Sequence, residues 1–381
     1  SETPADGTER LRTLYEALVP YFSAAEDPSP LYSHGGDWSE AFDSFAFDES
    51  GRLTRLRLHY PAYFTDGEPA ARTRIEQLLY AKSGRGREYL FEWDEEANSL
   101  TLTVLPALST AIHAQRFVTA PGETVLGFTD PSSVQRTLPV LAAPETCGED
   151  EEDEEGAEGT REVGLKKAAD GPETHDVPPV VWRTGPRSTE PHLLALGQPG
   201  SGTTTLLRSI ALQALPHGEV LVVDGGGTGE YACLSGRTGV LAVECGPAGT
   251  LATLEWAGHE TERRLIAANR ARQLGHAPPE DIQRPLWILL DRPSVMSHLA
   301  AADGRTDPQE LLAVPLRHGR AANVRVVVAD QLDAAETLSE AVRSHTRARV
   351  VLGPVSSEQV TAVLGAPPHT TPTPEVPPGR G

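Results

Sequence analysis

Between residues 179 and 366 six short apolar runs recur: "HLLALG", "EVLVVDG", "TGVLAVE", "PLWILLD", "VRVVVAD" and "ARVVLG". Helical patterns fill the intervals, as "TTTLLRSIALQAL", "TLATLEWAGHETERRLIAANRARQLG", "DPQELLAVPLRHGRAA" and "SEQVTAVLG". Short, continuously apolar strands that alternate with helices are buried on both faces, which is the mark of a parallel sheet with helices on either side. The expectation is therefore a doubly wound α/β domain.

The first run leads into a glycine-rich turn and a helix, "LLALGQPGSGTTTLLRSI". Gly197 to Thr204 fits the phosphate-binding pattern G-x-x-x-x-G-K-[ST] at every fixed position but one, because Thr203 stands where the pattern has lysine. Gly197, Gly200 and Gly202 let successive backbone N–H groups turn inward around an anion, and the helix N-terminus adds a favourable dipole. Ser201, Thr203 and Thr205 complete the candidate nucleotide-binding stretch, and the hydroxyl of Thr204 sits where the pattern holds Mg²⁺. A second element is "PLWILLDRPSVM", a hydrophobic strand ending in Asp291 as a Walker B strand does; its carboxylate would reach Mg²⁺ through water. An active motor places glutamate next, but the next residue is Arg292, whose guanidinium stays protonated and is no base. Gln331 closes "VRVVVADQLD", where a strand-end polar residue often senses a γ-phosphate. Asp291 and Gln331 are the candidate catalytic residues, although each also reads as an ordinary polar strand end.

The remaining sequence divides by composition. Residues 1–143 read as a small α+β domain: helices at "ERLRTLYEALVPYF" and "PAARTRIEQLLYAK", a half-buried strand at "RLTRLRLHYP" and a hairpin at "EYLFEWDEEANSLTLTVLP". It would serve docking or interaction. Its aromatics, Trp38, Phe42, Phe45, Tyr60, Tyr63, Phe64 and Trp93, could form a base-stacking surface, but core packing is the plainer expectation. Residues 144–178, with the run "GEDEEDEEGAEG", read as an acidic disordered linker. Residues 367–381 read as a proline-rich extended tail.

The whole chain of 381 residues carries a formal charge of −21, which disfavours non-specific contact with nucleic acid or anionic lipid. No apolar run approaches the roughly 20 residues that span a bilayer, and no secretory signal is recognisable. Cys147, Cys233 and Cys245 lack metal-ligand spacing. The expectation is a cytoplasmic protein without a membrane span. Lysine occurs only at positions 82, 166 and 167.

Six segments in order resemble the FtsK/SpoIIIE family of DNA-pumping P-loop ATPases. "EPHLLALGQPGSGTTTLLRSI" is similar to the family's "PHLL-x-x-G-x-x-GSGKS-x-x-LR-x-I", and "VLVVDGGGTGE" to its "IDPKGGE" strand. "TERRLIAANRARQLG" is similar to its "MERR" helix, and "PLWILLDRPSVM" to "VVVDEFADL". "LRHGRAANVRVVVADQLD" and "RARVVLGPVSSEQVTAVLG" resemble "ARAAGIHLVLATQRP" and "RIAFRVSSAVDSRTILG". The resemblance covers about half the chain. It implies a RecA-like fold over 179–366, ATP and Mg²⁺ as cofactors, ring assembly, and an arginine supplied between subunits, with Arg347 or Arg349 as the donor candidates. Related ATPases serve conjugation and type VII secretion.

The departures point the other way on activity. Thr203 replaces the lysine, Arg292 the glutamate, and "DGGGTGE" lacks the lysine of "DPKGGE". Losing one preorganised charge-stabilising donor costs about 10²- to 10³-fold in rate. The expectation is a degenerate member, a pseudo-ATPase with a weak nucleotide site. It would act through protein partners, either a catalytically active paralogue or its own copies in a ring. Two alternatives remain: an active DNA-translocating ATPase with rearranged catalytic residues, and a nucleotide-free interaction scaffold. DNA contact has no support in the sequence.

Overall fold

The computed structural model describes residues 5–84, 87–106, 115, 117–129, 136–141, 174–366 and 370–371. The acidic run 144–173 and most of the tail lie outside the described residues.

Apolar residues at helical spacing on α1 (Ala5–Phe22) bury Leu11, Leu14, Leu18 and Phe22 against a sheet. A single turn, α2 (Trp38–Ala41), precedes β1 (Phe42–Phe47); β2 (Leu53–His59), α3 (Pro69–Ser83), β3 (Tyr89–Asp94) and β4 (Ser99–Val104) follow. The strands are antiparallel in the order β1-β2-β4-β3. Alternation along β2 and β4 turns Leu56, Leu58, Leu100 and Leu102 to the core, where Ile75 and Leu79 of α3 also lie. Phe42 and Tyr60 are buried, and Trp38, Phe45, Phe64 and Trp93 pack against them. The aromatics are core, with Tyr63 left 46% exposed. Strand β1 carries no clear sequence signal. Its register shifts between Phe42 and Ser44 and again between Ala46 and Phe47, and such bulges erase the period of two.

Next come β5 (Glu123–Phe128), β6 (Leu138–Leu141), β7 (Thr174–Val177) and β8 (Pro179–Arg183), paired antiparallel as β5 with β8 and β6 with β7. β7 lies within the stretch read as linker. β5 lies within the stretch read as the first domain, yet it packs on the second.

The large sheet has β9 (Leu193–Gly197), β10 (Glu219–Asp224), β11 (Val240–Glu244), β12 (Leu286–Asp291), β13 (Val324–Gln331) and β14 (Ala348–Leu352). These are the six apolar runs. All pair in parallel, in the order β11-β10-β12-β13-β9-β14. One face, with Leu193, Ala195, Val220, Val222 and Leu289, is covered by α4 (Thr203–Ala214) and by Trp182 of β8. The other, with Leu194, Leu221, Ile288 and Val326, is covered by α5 (Pro247–Gln273), α7 (Pro293–Ala302), α8 (Ala313–Ala322), α9 (Glu340–His345) and α10 (Ser357–Leu364). A short α6 (Glu280–Gln283) leads into β12. This is a doubly wound α/β domain of the RecA-like kind, preceded by a small α+β domain.

Buried His192 ties the start of β9 to its neighbours. Its Nδ1 accepts from the Val326 N–H at 2.9 Å, and its Nε2 donates to the Leu316 carbonyl at 2.9 Å. Burial pushes its pKa down to about 3, so the ring is neutral. Finally β15 (Thr370–Thr371) pairs antiparallel with β3, adding a strand to the first domain's sheet.

Candidate functional site

The alternation that sorts apolar residues between the two faces also sorts the polar strand ends. Asp224, Asp291 and Gln331 continue the face covered by α4, because Val222, Leu289 and Ala329 precede them by two. Asp330 continues the opposite face. Strand register sets Asp224 beside Asp291, and Gln331 beside Gly197. The turn and both strand ends therefore meet at one carboxyl edge of the sheet.

Three aspartates there are buried: Asp224 is 3% exposed, Asp291 4% and Asp330 2%. Asp224 accepts the N–H groups of Gly227 and Gly229 at 3.1 and 3.2 Å, which folds the glycine-rich loop after β10. Asp330 caps α7 by accepting the Ser294 N–H at 3.0 Å and its hydroxyl at 2.9 Å. Asp291 is different, because both its donors reach one oxygen. The Thr204 hydroxyl donates to Oδ2 at 2.7 Å, and the Tyr231 hydroxyl donates to the same Oδ2 at 2.8 Å. Burial raises the Asp291 pKa, Asp224 and Asp330 add to the rise, and the two hydrogen bonds oppose it. Burial and the Asp291 charge hold the Tyr231 phenol far above its ordinary value, so it stays a donor.

Gly200 and Gly202 take φ of +77° and +102°, the left-handed region in which glycine is at ease. A Cβ on Gly197 would lie 2.3 Å from Ser201 Oγ. Ser201 is 3% exposed and its Oγ has no hydrogen-bond partner. Thr203 and Thr204 open the helix, while Thr205 faces outward and is exposed.

A cavity of about 130 Å³ lies over the turn, lined by Gly200, Thr203, Thr204, Arg292 and Gln331 and by the carboxylates of Asp224, Glu230, Asp291 and Asp330. A wider, open cavity of about 530 Å³ adjoins it, sharing Arg292, Asp330 and Gln331 and reaching His298 and Thr337. Arg292 caps α7 with φ of +52°, unusual for a residue with a side chain.

The inter-subunit arginine candidates differ from each other. Arg347 is exposed. Arg349 donates to the carbonyls of Thr346, Val363 and Arg343 at 3.1, 2.5 and 2.6 Å, so its guanidinium is engaged within the chain.

The residues present suit a phosphate group in shape more than in charge. A Cβ at Gly200 would meet nothing within 4 Å, so the cradle is open there, and Ser201 leaves one buried polar atom without a partner. Thr204 and Asp291 stand together as a hydroxyl–carboxylate pair, the residues that would hold Mg²⁺ if it were bound. Among the described residues no group of three or more His, Cys, Asp or Glu side chains is placed to hold a metal on its own. Four carboxylates against one guanidinium leave the cavity acidic. Tyr231, Asp224 and Asp330 are site residues that the sequence motifs do not single out. Asp224 and Asp330 carry a signal, as polar residues closing apolar runs; Tyr231 arrives from a loop and carries none.

No family model matches the chain, and no curated protein matches it. Solved structures similar to it include the pCW3 conjugation coupling protein TcpA with ATPγS, at 14% identity and a TM-score of 0.44 over 94% of this chain and 87% of that one. EssC (ATPases 2 and 3) from Geobacillus thermodenitrificans is 13% identical with a TM-score of 0.44, over 69% of this chain and 43% of that one. The cytoplasmic domain of the Thermomonospora curvata type VII secretion ATPase EccC is 24% identical with a TM-score of 0.40, over 54% and 25%. At these identities and TM-scores the likenesses carry no functional argument. The doubly wound fold stands on the strand order and register given above.

Proposed function

We propose that this protein is a degenerate FtsK/SpoIIIE-like P-loop protein. In this reading it binds nucleotide weakly and hydrolyses it at most slowly. Its work is done through protein contacts, as an accessory or regulatory subunit of a DNA-translocation, conjugation or secretion assembly. The observation that carries the reading is the pairing of Thr204 with Asp291 across a glycine cradle, beside a position where Arg292 replaces a general base. The first feature keeps a place for Mg²⁺ and phosphate. The second removes the group that would orient an attacking water, and phosphoryl transfer depends almost wholly on such positioning and charge. No helix among the described residues is long and apolar enough to cross a membrane.

The acidic lining favours one rival, a scaffold that takes no nucleotide at all, because an anion entering must face Asp224, Glu230, Asp291 and Asp330. Calorimetry of the purified chain with MgATP separates the two: the proposal expects measurable heat and a melting shift, and the scaffold expects neither. Turnover near one per second, lost in Thr204→Ala, would show an active motor and refute the proposal.

A further inference from the structure

Arg292 stands out among the charged groups at the carboxyl edge. Its backbone is held in place from two sides. The Arg292 N–H donates to the Ala329 carbonyl at 2.7 Å, and the Arg292 carbonyl packs so closely on Gly225 that a Cβ there would sit 2.2 Å from it. The side-chain stem passes Gly226, where a Cβ would lie 3.4 Å from Arg292 Cδ. Gly225 thus makes room for the backbone at this position, and Gly226 lies in ordinary contact range of the side-chain stem. Its side chain lines the cavity over the turn together with Gly200, Thr203 and Thr204.

The guanidinium is also unpaired among the described residues. Its Nε is buried without a hydrogen-bond partner, and no carboxylate among the described residues comes within ion-pair distance. An arginine kept merely to neutralise Asp224, Asp291 and Asp330 would pair with one of them, since a buried charge left alone is costly. Those aspartates instead satisfy themselves with Gly227, Gly229, Thr204, Tyr231 and Ser294. The arrangement leaves one planar, permanently charged donor facing an anion cradle whose own lysine position holds a threonine. A guanidinium suits phosphate oxygens because its N–H groups form a rigid fork.

We propose that Arg292 is the phosphate-binding cation of this site, supplied within the chain from the strand β12–α7 junction in place of the missing lysine. The proposal rests on the nucleotide reading above and adds to it the residue on which affinity depends. It gives the ligand as a di- or triphosphate whose terminal phosphate lies between the turn and Arg292. It also assigns a purpose to the left-handed backbone at that position, which aims a long side chain back across the loop.

The test is equilibrium binding of MgATP and of inorganic pyrophosphate to the full chain, with wild type, Arg292→Gly and Arg292→Lys compared and their melting temperatures measured without ligand. Glycine is at ease at φ of +52°, so Arg292→Gly removes the charge without adding backbone strain. The expected result is a wild type that binds, an Arg292→Gly variant weakened about ten- to a hundredfold with its melting temperature kept, and an intermediate Arg292→Lys. If wild type binds and Arg292→Gly binds as tightly or more tightly, the guanidinium is a plug, and the inference falls while the nucleotide reading stands. If both variants lose binding and melt lower alike, Arg292 is structural and the inference is overturned. If wild type binds neither ligand, the nucleotide reading fails and takes this inference with it.

Discussion

A single oxygen, Oδ2 of Asp291, receives both the Thr204 and the Tyr231 hydroxyls while burial works against its charge. The raised pKa means the fold favours the protonated acid. That contribution to stability is full below the unfolded value near 3.8 and is lost as pH rises through the folded pKa. At neutral pH the fold therefore bears the cost of a carboxylate set beside Asp224. Asp291→Asn can still accept both hydroxyls through its carbonyl oxygen while removing the charge. It should melt higher than wild type at pH 7, and the difference should shrink as pH falls toward 4. A gain on the order of 1 kcal/mol would appear as about 2–4 °C. A scan in which the Asp291→Asn variant melts lower at pH 7 would mean that the charged form of the acid stabilises the fold. At this scale the sequence was partly legible. Thr204 and Asp291 were readable because each occupies a fixed place relative to a strand or turn. Tyr231 was not, because its hydroxyl reaches the site from a loop with no periodicity to mark it. Arg292 was readable as the loss of a base; its left-handed backbone and its cavity position needed the fold.

Elements were legible where burial on both faces made their residues continuously apolar, as in β9, β10, β12 and β13, whose central positions are all inside. They were illegible where the partner lies far along the chain. β5 is a strand because β8 pairs with it, Val125 opposite Val181, and because α4 packs on it. Nothing near Val125 announces that. The link is made by Gln213, which is 3% exposed on α4. Its Oε1 accepts the Val125 N–H at 2.8 Å, and its Nε2 donates to the Val125 carbonyl at 2.9 Å. A glutamine on the buried face of a helix is tolerated only because both ends are matched in this way. Gln213→Leu keeps the volume roughly and strips both partners. Each buried backbone group left unpaired costs about 1–3 kcal/mol. The expected outcome is a lower urea midpoint and faster amide exchange at Val125, with β9 and β13 still protected. Unchanged exchange at Val125 would mean that β8 alone holds the strand.

At the scale of the molecule, composition divides the chain into a first α+β part, an acidic stretch and an α/β part, a division drawn by sequence rather than by contact. β5 comes before the acidic run and belongs by packing to the sheet that comes after it. The closing segment makes a similar crossing in reverse. Beyond α10 the chain returns to the first domain, where Thr370 pairs with Leu90 and Thr371 with Tyr89 on the otherwise free side of β3. A proline-rich stretch reads as extended, and prolines cannot donate to a ladder. With Pro368 and Pro372 so close on either side of the two threonines, no strand pattern marks them in the sequence. Two residue pairs add little to global stability but cover an edge that would otherwise offer free backbone groups. Ending the chain at Gly365 should therefore leave the melting temperature of the α/β domain nearly unchanged. Amide exchange across Tyr89–Phe91 should become faster than in the full chain, and self-association should rise with concentration as the β3 edge is bared. If exchange at those amides is the same in both chains, the edge is not covered by this segment in solution.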